Sequence, residues 1–335
     1  MLLALETSCD DTAAAVMDAE GRLLAQRVSS QKEHAQWGGV IPELASRRHL
    51  LNLSPVVEHT LREAGVNWGD ITTVACTARP GLIGSLLVGH SFARAVAVAR
   101  GYQFIEVDHM QGHLASLFVR GMDEAAPQPR FPLLVLTVSG GHTQLTLMKS
   151  PTEQQILGQT LDDAAGEAFD KAAKLLGFEY PGGPLLDKAA EGGNEHFLHL
   201  PEPRISGYDF SFSGLKTALL YKLQAEQARN PTFVADNLKD IAASVQHVIV
   251  QALLDKLFLA AHELNISELG IVGGVSANRL LRRRFQELCS ELDYTGHIPP
   301  FRYCTDNAAM IAQAAYWKMQ QGEYSHLTAV PSPTI

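Results

Sequence analysis

The sequence predicts an α/β fold that is built twice, once in each half of a chain of 335 residues. The chain is longer than one hydrophobic core usually supports, so two domains are expected. Each half carries three short apolar runs followed by alternating helical and strand-like patterns. A stretch rich in Ala and Pro, residues 125–129, separates the two halves.

The first half shows the pattern of three consecutive strands before its first helix. The turn over residues 18–21 is typical of a hairpin. Pro42 stands where a first helical turn tolerates proline, because the N–H of that position has no partner within the helix. The predicted elements are strands Leu2–Thr7, Thr12–Met17, Leu23–Val28, Thr72–Thr77 and Gln103–Val107, and helices Pro42–Ala64 and Gly84–Ala99.

The second half repeats this order around an insertion, residues 178–232, that is rich in Gly and Pro and is expected to be irregular. The predicted elements are strands Leu133–Ser139, His142–Met148, Gln154–Thr160, Leu269–Val272 and Tyr294–Ile298, and helices Asp163–Leu176, Phe233–Asn265, Ser276–Leu292 and Asp306–Met319. Three meandering strands followed by helix-linked strands make a mixed sheet flanked by helices. This duplication is typical of the actin-like ATPase architecture. We therefore predict lobe I over residues 1–128 and lobe II over residues 129–335, around a central cleft.

Composition narrows the classes of partner. The formal net charge of −9 does not indicate a nucleic-acid binder, and the basic residues at 279 and 282–284 are more typical of a solvated helix face. No long uninterrupted apolar run is present, so no membrane association is expected, and the first residues predict a strand and not a signal peptide. Four cysteines without CxxC spacing indicate reduced thiols, as expected for a cytoplasmic protein.

Two histidines four residues apart, His109 and His113, are predicted to lie on one face of a helix that Asp108 caps. One carboxylate from a distant segment, Asp306, would complete a His₂Asp site with open positions, which suits Zn²⁺ or Fe²⁺ acting on a substrate. Such a histidine spacing often arises by chance among 13 histidines, so its position directly after a strand carries the prediction. A zinc peptidase is not favoured, because Met110 stands where that class needs a glutamate as general base.

Polar, glycine-containing loops follow strands in both halves and predict a nucleotide between the lobes. The segment Glu6–Thr12 places hydroxyls and carboxylates at a strand end. The pairs in Ser139–Gly141 and Gly273–Gly274 let backbone N–H groups approach an anion closely, and Ser276 is a plausible N-cap for the helix that follows. Each loop on its own is weak evidence for a nucleotide site. Three such loops at corresponding places in the two halves are stronger evidence.

The helix predicted from Asp163 opens with several carboxylates. The plain structural interpretation is that they complement the helix dipole and that Glu167 pairs with Lys171 one turn later. Asp170 and Asp187 flank a Tyr-Pro-Gly-Gly-Pro segment and would equally suit ribose hydroxyls, because a carboxylate can accept two O–H bonds.

Ten motifs are spread along nearly the whole chain and are too long and numerous to coincide by chance. They are ETSCDDT at 6–12, GGVIPELASRRH at 38–49, PGLIGSLLVG at 80–89, HMQGH at 109–113, VSGGHT at 138–143, DDAAGEAFDKAAKLLG at 162–177, YPGGP at 180–184, DFSFSGLKT at 209–217, GGVSANRLLR at 273–282 and CTDNAAMIA at 304–312. Together they resemble the tRNA N6-adenosine threonylcarbamoyltransferase family. The resemblance implies transfer of a threonylcarbamoyl group from threonylcarbamoyl-AMP to N6 of adenosine 37, in tRNAs that read codons beginning with A.

The resemblance also implies roles for individual residues. His109, His113 and Asp306 match the ligands of one divalent metal ion per subunit, with Fe²⁺ favoured and Zn²⁺ as the second choice. Asp10 and Asp11 match acidic residues near the site. The positions that match contacts to the adenine nucleotide, which is substrate and product, are Thr137, Val138, Ser139, Gly140, Gly141, Asp170, Gly183, Asp187 and Asn278.

Two positions depart from the family pattern. Gln111 stands where many relatives carry Glu, which removes one charge near the metal without changing a ligand. Asp11 stands where relatives often have Glu, which shortens the reach of the carboxylate. We hypothesise that the metal polarises the carbamoyl carbonyl, that glycine-loop N–H groups stabilise the departing phosphate, and that Asp10 or Asp11 takes the proton from N6. No sequence feature selects between these two carboxylates.

The resemblance implies tRNA and threonylcarbamoyl-AMP as substrates. It also implies a smaller actin-like paralogue and a P-loop ATPase as bacterial partners, with the predicted helix Pro42–Ala64 as a candidate surface for the paralogue. Two alternatives remain. A nucleotide-dependent kinase of the same architecture would not need the histidine pair, so metal analysis would discriminate it. A non-catalytic scaffold partner is the other, and the presence of both histidines and Asp306 argues against it.

Overall fold

The structure is a computed structural model that describes residues 1–121, 128–202 and 205–334. The chain divides into two compact units, unit 1 over Met1–Pro129 with Pro299–Ile335 and unit 2 over Arg130–Ile298. The predicted break at residues 125–129 lies partly outside the described residues. The segment from Pro299 onward belongs to unit 1, which differs from the prediction that placed all of 129–335 in lobe II.

Unit 1 contains a six-stranded mixed sheet of order β5-β4-β1-β2-β3-β6. Its strands are β1 (Leu2–Glu6), β2 (Asp11–Met17), β3 (Arg22–Ser30), β4 (Thr73–Arg79), β5 (Gln103–Asp108) and β6 (Arg120–Gly121), and its first helices are α1 (Pro42–Ala64), α2 (Ile83–Arg100) and α3 (His109–Ala115). β1 pairs antiparallel with β2 and parallel with β4, so the ends of β1 and β4 lie at the same edge of the sheet. The predicted helix Pro42–Ala64 is confirmed at both ends. Pro42 lies at its first turn, and Gly65, which adopts φ 67°, ends it.

Unit 2 contains a five-stranded sheet of order β11-β10-β7-β8-β9. Its strands are β7 (Leu133–Val138), β8 (Thr143–Met148), β9 (Gln154–Gln159), β10 (Glu268–Val272) and β11 (Thr295–His297), and its helices are α4 (Ala165–Leu175), α5 (Gly182–Ala189), α6 (Ser213–Gln227), α7 (Phe233–Asp236), α8 (Leu238–Leu264) and α9 (Arg279–Glu291). The insertion 178–232 is not irregular as predicted, since it contributes α5 and α6. Leu215, Leu219 and Leu223 recur every four residues and are buried, which gives α6 one apolar face.

Among the described residues, α8 is long and apolar enough to cross a membrane by length and composition alone. However, 67% of its most apolar window is buried inside the structure, as in the core helix of a soluble protein. Ile241, Ile249 and Leu253 of this helix belong to the unit 2 core. The helix therefore gives only weak support for a membrane span.

The final helix, α10 (Ala308–Gln320), returns to unit 1. Its buried face, which includes Met310 and Ile311, packs in one cluster with Leu2 of β1 and Ile105 of β5. Burial of this apolar face against the first sheet is the physical reason why residues 299–334 join unit 1. The sequence order alone does not show it, because a helix at the end of the chain can pack on either sheet.

Asp162 makes the stability of unit 2 dependent on pH. Its carboxylate accepts hydrogen bonds from the backbone N–H groups of Phe212 and Ser213 and from the hydroxyls of Ser211 and Ser213. Burial raises the pKa of Asp162, but these bonds outweigh burial and lower the pKa from 3.8 to about 2. The carboxylate therefore stabilises the fold fully above its unfolded pKa, and this contribution is lost as the pH falls through the folded pKa.

We expect Asp162→Ala to lower the free energy of unfolding by about 1 kcal/mol at neutral pH, since it removes charged hydrogen bonds at an exposed site. The difference from wild type should shrink as the pH falls from 3.8 toward about 2. Urea unfolding of the wild type and of the Asp162→Ala variant across this pH range measures the difference in the free energy of unfolding. A difference that stays constant with pH would contradict the assigned role.

Candidate active site

The two predicted metal-ligand histidines open α3, directly after β5. The Asp108 side chain accepts hydrogen bonds from the N–H groups of Met110 at 2.9 Å and Gln111 at 3.2 Å, so the predicted N-cap is confirmed. Both histidines are buried. A Cβ at Gly112 would lie 2.7 Å from the Ile311 side chain, so a glycine there lets α3 lie close to α10.

Asp306 immediately precedes α10, whose N-cap is Asn307. Its Oδ1 lies 3.4 Å from Nε2 of His109 and 3.3 Å from Nε2 of His113. The three ligand atoms lie within 4.8 Å of one another, so these residues could hold a metal ion. All three residues belong to unit 1, whereas the sequence pattern placed Asp306 in lobe II.

His113 gives a direct test of whether these residues fit a metal. It is completely buried, and neither ring nitrogen makes a hydrogen bond, although Nε2 lies 3.3 Å from the carboxylate of Asp306. An unpaired buried polar group costs free energy, and coordination of a cation by Nε2 would offset that cost. The residues present therefore fit a divalent metal with open coordination positions.

The charges around His109 favour a cation in the same place. Burial works against a charge on this ring, but the carboxylates of Asp306 and Glu6 outweigh it and raise the pKa of His109 well above its usual value. Burial also raises the pKa of Asp306, yet His109 and His113 reverse that effect and hold it below its usual range. Positive charge is thus stabilised between the buried carboxylate of Glu6 and the partly buried carboxylate of Asp306.

Glu6 belongs to the polar segment Glu6–Thr12 that the sequence indicated, but its contact with a metal-ligand candidate, His109, was not predicted. Its Oε2 lies 3.2 Å from Nδ1 of His109, the ring nitrogen opposite the one that faces Asp306, and the Ser8 hydroxyl lies 3.2 Å from the same nitrogen. Glu6 also accepts a hydrogen bond from Thr77. A metal-ligating histidine commonly donates its second N–H to a carboxylate, which fixes the ring. The available signal was an acid at the end of an apolar strand, Leu2–Glu6.

We expect Glu6→Gln to weaken metal affinity by about 10- to 100-fold, because the ring of His109 loses its charged acceptor. Chelator competition with the purified protein measures this affinity. Glu20→Gln is a suitable control, since Glu20 is 67% exposed and pairs with Arg22 at the surface. Equal affinities in the two variants, with both folded by thermal unfolding, would remove Glu6 from the site.

Asp10 and Asp11 lie in the turn that joins β1 to β2, and both are half-buried. Asp11 opens β2 and pairs with Ser30 of β3. Burial, with further contributions from Asp306, Asp10 and Glu6, raises the pKa of Asp11 to about 7. Asp11 therefore shares its electrostatic surroundings with the carboxylate of Asp306, the candidate metal ligand.

In unit 2, the predicted glycine turn Ser139–Gly141 joins β7 to β8. The N–H of Gly166 donates to the carbonyl oxygen of Ser139 at 3.2 Å, and the Thr143 hydroxyl accepts from the N–H of Ala165 at 2.8 Å. A Cβ at Gly166 would lie 2.5 Å from the Ser139 oxygen, so only glycine allows this approach. The N-terminus of α4 is thereby held against the turn. Thr137, at the end of β7, has a buried hydroxyl without a hydrogen-bond partner.

The third glycine loop reaches the same end of β7. Gly273 adopts φ 88°, and a Cβ there would lie 2.4 Å from the carbonyl oxygen of Val138. The prediction that Ser276 caps the next helix is wrong, because a 3₁₀ turn, Gly274–Ala277, precedes α9 and Asn278 is its N-cap. Asn278 accepts from the N–H of Leu281 at 3.0 Å and donates to Gln246 at 3.0 Å.

The two predicted ribose carboxylates have different partners. Asp170 accepts a hydrogen bond from the N–H of Gly183 at 2.8 Å, and burial raises its pKa. Asp187 accepts from Nε of Arg279 at 2.9 Å through Oδ2, while its Oδ1 is buried without a partner. The structure thus places the predicted nucleotide contacts in unit 2, and their role stays a prediction.

The predicted pairing of Glu167 with Lys171 one turn later in α4 is confirmed, with an ion pair of 2.9 Å.

The basic residues at the start of α9 are balanced by carboxylates. Arg279 pairs with Asp187 and Glu191 at 2.9 Å each. Arg283 and Arg284 both contact Glu195, at 3.2 and 3.0 Å. This arrangement supports the interpretation of a paired helix face and not of a phosphate-binding patch.

A family model described as TsaD, tRNA N6-adenosine threonylcarbamoyltransferase, matches residues 22–313. The chain belongs to this family. A relative of that name from Porphyromonas gingivalis is 45% identical over 335 residues, which cover 100% of this chain and 98% of the relative. A relative from Phocaeicola vulgatus is 46% identical over 97% of this chain and 95% of its own length. Another from Thermosipho africanus is 44% identical over 100% of both chains.

Comparison of this threonylcarbamoyltransferase family member with solved structures shows its fold alone. Full-length HypF matches with a TM-score of 0.60 at 14% identity, over 97% of this chain and 56% of that one. Component A of (R)-2-hydroxyglutaryl-CoA dehydratase from Acidaminococcus fermentans matches with a TM-score of 0.53 at 14% identity, over 95% and 98%. The predicted duplicated actin-like α/β fold is confirmed. The names of the relatives favour a transferase over the kinase and scaffold alternatives.

Proposed function

We propose that this protein transfers the threonylcarbamoyl group from threonylcarbamoyl-AMP to N6 of adenosine 37 in tRNAs that read codons beginning with A, releasing AMP. The observation that carries this proposal is identity of 44 to 46% to relatives named for that transferase, over 97 to 100% of this chain. The cluster of His109, His113 and Asp306 within bonding range of one ion supports the same chemistry.

We infer that His109, His113 and Asp306 hold one divalent metal ion per subunit, with Fe²⁺ favoured over Zn²⁺. When bound, such an ion supplies Lewis-acid polarisation of the carbamoyl carbonyl and orients the threonyl portion. The protein fixes the geometry of the ligands. Glu6 and Ser8 hold Nδ1 of His109 so that Nε2 faces Asp306.

We propose that unit 2 binds the adenylate. The N–H groups of Ser139–Gly141 would stabilise the departing phosphate, since a glycine turn lets backbone donors approach it. Asp170 and Asp187 would accept the ribose hydroxyls, with Gly183 and Asn278 as neighbours in the same site. The buried, unpaired oxygens of Thr137 and Asp187 support this assignment, because a bound ligand would supply their missing partners.

The chemical step requires a proton acceptor. The lone pair of N6 is delocalised into the adenine ring, so the amine gains nucleophilicity as its proton leaves. N6 bonds to the carbamoyl carbon, the bond from that carbon to the phosphate oxygen breaks with its electron pair on AMP, and the proton passes to a carboxylate. Asp10 and Asp11 are the candidates. A pKa of about 7 favours Asp11, because a general base works best when its pKa lies near the working pH.

We propose that the outer face of α1 and α2 binds a smaller actin-like paralogue and that a P-loop ATPase completes the bacterial complex. Leu50 and Leu51 of α1 are 68% and 66% exposed. A groove of about 500 Å³ lies beside them, lined by residues that include Leu53, Leu87 and Phe92. Contiguous exposed apolar surface of this kind commonly marks a protein interface.

We propose a cytoplasmic location for this protein. A tRNA substrate and four free cysteines support it.

Mass spectrometry of tRNA nucleosides after depletion of this protein tests the proposed function. The threonylcarbamoyl-modified nucleoside should disappear and return when the wild-type gene is restored. An unchanged nucleoside profile would contradict the proposal. The purified protein, supplied with synthetic threonylcarbamoyl-AMP and unmodified tRNA, should also form the modified nucleoside when its partners are added.

A further inference from the structure

His49 of α1 is fully buried and holds both ends of the acidic turn in unit 1. Its Nε2 lies 2.9 Å from the carbonyl oxygen of Cys9, and its Nδ1 lies 2.8 Å from the hydroxyl oxygen of Thr12. Cys9 and Thr12 are the residues that flank Asp10 and Asp11. One imidazole therefore links the backbone of Cys9 to the side chain of Thr12, on either side of the two carboxylates.

The Cys9 carbonyl oxygen determines which nitrogen of His49 carries a hydrogen. This oxygen can only accept, so Nε2 carries the hydrogen and donates it. Burial lowers the pKa of His49 and so favours the neutral ring, in which Nδ1 accepts from the Thr12 hydroxyl. The contact is thus a pair of directional hydrogen bonds, and an apolar side chain of similar size cannot reproduce it.

The first part of the turn is held by a different element. The Thr7 hydroxyl donates to the carbonyl oxygen of Ser85 at 3.0 Å, and the N–H of Leu82 donates to the carbonyl oxygen of Ser8 at 2.8 Å. Ser8 also contacts the metal-ligand histidine His109. Helix α2 and the segment before it therefore secure the residues next to the metal ligands, whereas His49 secures the residues next to the carboxylates.

We propose that His49 is a positioning residue for proton transfer, which keeps Asp10 and Asp11 in place without itself contacting the substrate. This inference rests on the proposed function. It follows that loss of His49 should impair the chemical step while the metal ligands and the adenylate contacts of unit 2 keep their arrangement.

The test compares purified full-length variants in the reconstituted transfer assay with threonylcarbamoyl-AMP and tRNA. His49→Leu should lower kcat by about 10²-fold, the loss that a displacement of about 1 Å can cause, with KM for the adenylate and metal content unchanged. His49→Gln keeps an N–H donor for the Cys9 oxygen and should recover most of this loss. His90→Leu is the matched control, because His90 is equally buried and bonded to Glu106 at 2.7 Å, which lies outside the turn.

Three outcomes would overturn the inference. The first is equal kcat in His49→Leu, His90→Leu and wild type, and the second is a loss shared equally by both variants. The third is a loss of metal or a rise in KM that accounts for the whole effect. If His49→Leu does not fold, Thr12→Val, which removes only one of the two bonds, must show the same selective fall in kcat. Absence of transfer by the wild-type protein would instead overturn the proposed function, and this inference with it.

Discussion

Replacing His113 by alanine is expected to remove both the bound metal ion and the transfer activity while leaving the fold intact. Neither nitrogen of this buried ring makes a hydrogen bond, and the Asp306 carboxylate, which lies 3.3 Å from Nε2, keeps His109 as a second partner when the ring is removed. Lewis-acid stabilisation by a metal contributes several kcal/mol to a transition state, and each 1.36 kcal/mol corresponds to a factor of ten. The expected loss in kcat/KM is therefore about 10³-fold or more, and Asp306→Ala should behave alike.

Elemental analysis of the purified variants, together with the tRNA assay, measures both effects. His59→Ala is the control, since His59 is exposed on α1 and should keep both metal and activity. Near-normal activity in the His113 and Asp306 variants would end the metal assignment. Retained metal with lost activity would instead assign these residues to another step.

Gly273→Ala is expected to destabilise unit 2 by about 3 kcal/mol or more and to abolish adenylate binding. The backbone of Gly273 has φ 88°, which disfavours any side chain, and the new Cβ would lie 2.4 Å from the carbonyl oxygen of Val138. With ψ 167°, this backbone lies in a region that is almost restricted to glycine, where a side chain costs about 1–3 kcal/mol, and overpacking costs about 1–3 kcal/mol. Strand β7 and the glycine loop would have to separate, which displaces the predicted phosphate contacts.

Chemical denaturation gives the change in the free energy of unfolding, and calorimetric titration with AMP gives the loss of binding. Gly214→Ala is the matched control, because a Cβ at Gly214 meets no atom within 4 Å and alanine favours the helix α6. Equal stability of the two variants would show that the loop yields without strain.

Much of the fold could be predicted from local chemistry. The bounds of α1 follow from Pro42 at its first turn and Gly65 after its last, both of which are purely local signals. The two helices in residues 178–232 were not predictable in the same way. The surrounding glycines and prolines obscure the four-residue spacing of leucines that gives α6 its apolar face.

The candidate site likewise combines features that neighbouring residues determine with contacts between segments that are far apart in the sequence. The spacing of His109 and His113 and their cap at Asp108 are local, and the structure bears them out as a helix start. Asp306 could be named from its motif, but its place in unit 1 depends on which sheet α10 covers. The role of Glu6 beside His109 was not predicted, because this contact joins residues 103 positions apart, a relation that strand periodicity does not encode.

The discontinuous make-up of unit 1 constrains how the protein matures during translation. His109 and His113 leave the ribosome long before Asp306, and the whole of unit 2 is synthesised between them. A nascent chain that stops short of residue 306 presents two imidazoles without their carboxylate. The three candidate ligands can therefore come together only late in synthesis, and a translation product that ends before residue 306 lacks one of them.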